Sequence, residues 1–115
     1  MSILEEAEKR VADDELRAEL RERGYCGQTV EQALENLLKC RDELGAANIT
    51  LGALRSYKGS IELRDASSFI HNPLGAELLD KEISRAESLV INAGAKWEAA
   101  EDALAATREA RDKGL

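Results

Sequence analysis

Apolar positions recur along this chain at alternating steps of four and three, the period at which one face of a helix returns to the same neighbour. The longest such run is Leu79, Ile83, Ala86, Val90, Ala93, Trp97, Ala100 and Leu104. Asn72 can cap its start, Pro73 fits the first helical position where a missing amide costs nothing, and Glu77 places a carboxylate near the positive end of the helix dipole. The pattern predicts one uninterrupted helix over 73–112, about 60 Å long at a rise of about 1.5 Å per residue.

A second run, Ala33, Leu37, Cys40, Leu44, Ala47, Leu51, Leu54 and, after Lys58, Ile61, has the same period. Thr29 and Gln32 form a capping box at its start. Three glycines, Gly45, Gly52 and Gly59, fall seven apart and so share one side of a continuous helix. Each costs about 1 kcal/mol relative to alanine in a helix interior, so three in one register call for either a break or a closely approaching backbone. The prediction is a helix over 29–57, a break or kink at Gly59 to Ser60, and a short extension over 61–69. At the N-terminus, Ser2 and Glu5 make a capping box for a helix over 2–23. There Leu4, Ala7 and Val11 make one stripe while Leu16 and Leu20 continue on a displaced one, which predicts a kink or a break near Asp13. Gly24-Tyr25-Cys26-Gly27 reads as a helix cap followed by a tight connection.

Together these elements predict an all-α fold: an elongated antiparallel helical hairpin of two long heptad-patterned helices, with an additional N-terminal helix, in a single helical domain over 1–115. A globule of this size has a radius of gyration of only about 13 Å, too small to contain the last helix without elongation. Alanine dominates the seam between the two long helices and contributes little burial, so the bundle is expected to be completed by self-association into a dimer or higher oligomer.

Composition narrows the function classes. The 115 residues carry 43% hydrophobic, 34% charged and 3% aromatic residues, with one proline, which fits a folded, helix-rich chain and excludes a two-domain enzyme. The net charge of -7 opposes phosphate backbones and anionic membrane surfaces, so nucleic acid and membrane are not expected partners. Only residues 49–72 are not acidic. No apolar run approaches the ~20 residues that cross a bilayer, and the N-terminal Met-Ser-Ile-Leu-Glu-Glu is no secretory signal, which leads us to expect a cytoplasmic protein. Cys26 and Cys40, with no histidine near either, match no zinc or redox motif and read as reduced structural thiols.

The candidate chemistry lies in four places. Arg55, Tyr57, Lys58 and Arg64, with His71 further on, could hold an anionic planar ligand such as a nucleotide; the competing reading pairs these cations with acids of a neighbouring helix. Glu5 with Glu8, and Glu77 with Asp80, are carboxylates three apart on a helix face, as oxygen ligands for magnesium are placed. This ExxE and ExxD spacing resembles the MazG-like family, all-α nucleotide pyrophosphohydrolases, and the resemblance implies magnesium at those four residues; a solvated face of helix-stabilising ion pairs explains the same spacing. Gly24 to Gly27 has the spacing of a GxxG nucleic-acid loop without its basic residue. Leu79, Ile83, Val90, Trp97 and Leu104 line the seam and are candidates for a core or an interface, with Trp97 the bulkiest. The leading expectation is a non-enzymatic helical interaction or sequestering protein that acts as a homo-oligomer on another protein, with no cofactor. An oligomeric binder of an anionic small molecule and a magnesium-dependent pyrophosphohydrolase are the alternatives.

Overall fold

The structure, a computed structural model, describes residues 2–64 and 73–115, without the side chains of 63, 64, 73 and 74. Three helices account for nearly all of them: α1 (Ile3–Glu22), α2 (Val30–Arg64) and α3 (Pro73–Asp112). The fold is all-α, a hairpin of two long helices with an N-terminal helix, and no strand occurs among the described residues.

The helix starts follow the capping chemistry in the sequence. The Ser2 hydroxyl accepts from the Glu5 amide at 3.2 Å. At α2 the box closes in both directions, the Gln32 amide donating to the Thr29 hydroxyl at 3.1 Å and the Thr29 amide to the Gln32 side-chain oxygen at 2.9 Å. The expected Asn72 cap, and residues 65–69 of the expected extension, lie outside the described residues.

Neither α1 nor α2 breaks where a break is one of the expected outcomes. α1 runs unbroken through Asp13, because among the described residues nothing packs on its first three turns to force the two apolar stripes onto one side; Leu4 and Val11 are exposed and Leu20 is its one buried residue. α2 continues through Gly59 to Arg64, with no break at Gly59 to Ser60. Nor, among the described residues, does a backbone approach the glycines: a Cβ at Gly45, Gly52 or Gly59 would meet none of them within 4 Å. The opposite face holds this helix instead. Leu54, Lys58 and Ile61 stay half-buried on both sides of Gly59, and that packing overrides the low helix propensity of glycine.

The chain divides into two compact units, Met1–Cys40 with Trp97–Leu115, and Arg41–Lys96. In the first, fully buried Leu20 packs with Ala106 and Ala110, joined by Leu16, Tyr25 and Leu115. Two helix ends close over this core in the same way. At Gly24 (φ +104°) the Tyr25 amide donates to the Leu20 carbonyl at 2.9 Å and the Gly24 amide to Arg21 at 3.0 Å. At Gly114 (φ +71°) the Leu115 amide donates to Ala110 at 2.9 Å and the Gly114 amide to Arg111 at 3.1 Å. Both are Schellman motifs, and in both the residue after the glycine drops its apolar side chain onto the core. Arg23 pairs with Glu109 across the same junction.

In the second unit, Leu51, Ile83 and Ala86 form the core, with Leu54, Leu79 and Val90 against it. Arg55 meets Glu87 and Lys58 meets Asp80, so residue numbers rise on α2 as they fall on α3 and the two segments run antiparallel. Every seam position of the sequence pattern is buried or half-buried.

Candidate functional site

The hairpin of the second unit presents two flanks of opposite chemistry. Residues recur every 3.6 along a helix, which sets Arg55 on one side of the α2 seam and Glu43, Ala46, Thr50 and Tyr57 on the other. On the first flank the Arg55 guanidinium donates to the Glu87 carboxylate at 3.4 Å, and the Lys58 ammonium to Asp80 at 2.6 Å, with Glu62 at 4.0 Å. The hydrogen bond to Asp80, reinforced by the charges of Asp80 and Glu62 and opposed by partial desolvation, raises the Lys58 pKa above its ordinary value.

Of the residues that the sequence suggested for an anionic ligand, the structure brings Arg55 and Lys58 together and occupies both with α3 carboxylates. Tyr57 does not join them: it lies about 200° round the helix from Arg55 and is mostly exposed on the other flank. Arg64 is the last residue of α2, with its side chain outside the described residues, and His71 lies outside them altogether.

The carboxylate pairs keep their helical spacing, but the second pair is engaged by cations. Glu77 pairs with Lys81 at 3.5 Å and Asp80 with Lys58. Glu5 and Glu8 are exposed on α1 and belong to the first unit, whereas Glu77 and Asp80 belong to the second. Among the described residues no group of three or more His, Cys, Asp and Glu is placed to hold a metal ion. Gly24 to Gly27 is the helix cap that the sequence allowed, tightened by the Gln28 side chain, which accepts from the Cys26 amide at 2.5 Å and donates to the Gly24 carbonyl at 3.2 Å. Both cysteines are free thiols, Cys26 exposed and Cys40 buried. A hollow of about 690 Å³ near the start of α2 is bordered by Tyr25, Thr29, Glu31 and Arg111, but the capping box already uses the Thr29 and Gln32 amides there.

The seam residues expected at a core or interface are all withdrawn from solvent. Ile83 and Leu104 are buried, and Leu79, Val90 and Trp97 are half-buried. The open surface lies beside them. Ala46, Ala47, Ala86 and Ala93 floor an apolar groove of about 640 Å³ between α2 and α3, walled by Leu89 and Thr50, with Glu43 and Lys96 at one end. Leu89 is 54% exposed. Neither Glu43 nor Lys96 has an ion-pair partner among the described residues. The sequence reading passed over Leu78 and Leu89, which stand one row from the seam and, with Glu82 and Lys96, repeat its heptad spacing as a second, mixed row. It also missed Ala103, Ala106 and Ala110, whose steps of three and four mark the face of α3 that receives α1.

Comparison of the chain with models of protein families, with curated proteins and with solved structures finds no match. Among the described residues no helix is long and apolar enough to cross a membrane.

Proposed function

We propose that this protein acts by binding and not by turnover: a self-associating helical protein of the cytoplasm that engages or sequesters another protein. The observation that carries this reading is the first half of α1. Leu4, Ala7 and Val11 stand at steps of three and four on one face, and all are exposed, Leu4 at 67% and Val11 at 57%. An amphipathic helix with its apolar face uncovered has the form that proteins lay into a hydrophobic groove of a partner. Glu8, Asp14 and Glu15 flank that face, with Arg10 further round as the nearest cation, which favours a groove with a basic rim.

Self-association belongs to the same reading. Among the described residues five of the ten buried hydrophobic residues are alanines, which contribute little burial, while Ile49, Leu78, Leu89 and Ile91 of the second unit are exposed. Capture of an anionic small molecule at Arg55 and Lys58 has less support, because both cations already have carboxylate partners. The test replaces Leu4 and Val11 together by glutamate and compares what the variant and the unaltered chain retain from the cells that produce them. Both side chains are exposed, so helix content should be unchanged while the specifically retained protein is lost. Equal retention by the two chains would contradict the reading.

A further inference from the structure

The groove of the second unit carries a symmetric charge pattern. On α3, Glu82, Leu89 and Lys96 stand seven apart and fall within about 40° of one another round the helix, so they form a nearly straight row in which Leu89 and Lys96 line the groove and Glu82 continues the line beyond its end. Leu89 is at the middle, with an acid and a base each about 10.5 Å away along the axis. If a second α3 is laid against this row antiparallel, about a two-fold axis at Leu89, position 96 of one chain falls opposite position 82 of the other. A parallel arrangement would instead set each charge against its like.

We infer that this groove binds a second copy of the same chain, face to face and antiparallel, with Leu89 packed on the partner copy's Leu89 and Lys96 paired with the partner copy's Glu82. This deepens the self-association in the proposed function and rests on it. The two-fold lies in the plane of the contact and across the helices, so it also stacks α2 on α2. Thr50 lines the groove with Leu89, and an axis at that level brings Glu43 of one chain opposite Tyr57 of the other, where the phenol can donate to the carboxylate. Tyr57 is 59% exposed, and Glu43 and Lys96 are unpaired among the described residues, so each has its bonding capacity to offer. Glu82 meets Arg85 at 3.3 Å on its own helix, an exposed contact of the kind that contributes little and exchanges readily. The alanine floor lets the partner's leucine approach closely, and the four stacked helices complete a bundle that two helices with an alanine seam leave thin.

Subunit number against concentration, by sedimentation equilibrium on the full chain, tests the arrangement through Lys96→Glu, Glu82→Lys, the double exchange and Leu89→Arg, with circular dichroism to show that each variant keeps its helix. Symmetry makes every change count twice, so each single charge reversal should weaken the dimer about tenfold or more, and the double exchange should restore it. Leu89→Arg should weaken it about a hundredfold, because it places two cations at the centre of the contact. An oligomer that none of these variants alters would overturn the groove as the interface while leaving self-association standing. An oligomer that Leu89→Arg weakens but the charge reversals do not would overturn the antiparallel pairing. A chain that is monomeric at every concentration would overturn both the groove contact and self-association.

Discussion

In the first unit Leu20 is sealed beneath two glycine-capped helix ends, with Tyr25 and Leu115 folded over it and Arg23 held to Glu109 at the margin. In the second, a short strip of Leu51, Ile83 and Ala86 lies between two long helices, fastened on one flank by ion pairs and open on the other along a groove floored by alanine. The difference shows how two parts of one chain can meet the same shortage of large apolar residues. Where local motifs fold the ends of helices back, a few side chains suffice to close a core. Where helices only lie side by side, one face remains that a further helix layer could cover.

The contrast can be broken most forcefully at the first core. Leu20→Ala should lower the unfolding free energy by about 3 kcal/mol, measured by denaturant titration, because the side chain is fully buried and its neighbours are held by helix ends that cannot collapse into the gap. Gly24→Ala comes next, at about 1–2 kcal/mol: the residue has φ +104°, and its new Cβ would lie 3.1 Å from the Cβ of Ala103. Gly52→Ala should act in the opposite direction, raising stability by about 0.5–1 kcal/mol, since the glycine is mid-helix with open space where a Cβ would go. Equal responses at Gly24 and Gly52 would erase the distinction between a glycine that a turn requires and one that a helix tolerates.

The smallest effect belongs to the ion-paired flank. Lys58→Met should reduce stability slightly, and pH gives the sharper signature. The folded pKa of Lys58 is raised above its ordinary 10.5, so the contribution of the pair is fully present below the lysine range and is lost as pH rises through the folded value. The stability difference between the two chains should therefore stay constant through neutral pH and shrink only in strong alkali. A difference that vanished near neutrality would contradict the assignment of Asp80 as the partner.

Much of this fold is legible in the sequence. The Thr29 and Gln32 box, the Ser2 cap and the Gly24 end are local, each decided by two or three side chains within a turn, and they appear where the pattern puts them. The heptad seams are equally plain, because burial on one face imposes its period on many residues at once. Breaks do not follow at Gly59 or Asp13, for a common reason: local propensity and stripe displacement describe a helix in isolation, whereas packing on the far face of α2 and the exposure of early α1 decide whether the helix continues. The cluster of Arg55 and Lys58 was visible as charge, but the sequence does not say that Glu87 and Asp80 stand opposite, since that depends on the antiparallel register. The groove was harder to see still. Its floor is the small side of the same seam, and Leu89 lies one row outside the period that drew attention.

Self-association is the central claim, and native mass spectrometry of the unaltered chain, sprayed from gentle buffer over a range of concentrations, tests it most directly. A dimer or an even-numbered higher oligomer that dissociates on dilution, without added mass, is the predicted result. A bare monomer at every concentration would contradict the account, and a retained mass of a few hundred daltons per subunit would turn it toward a small-molecule binder.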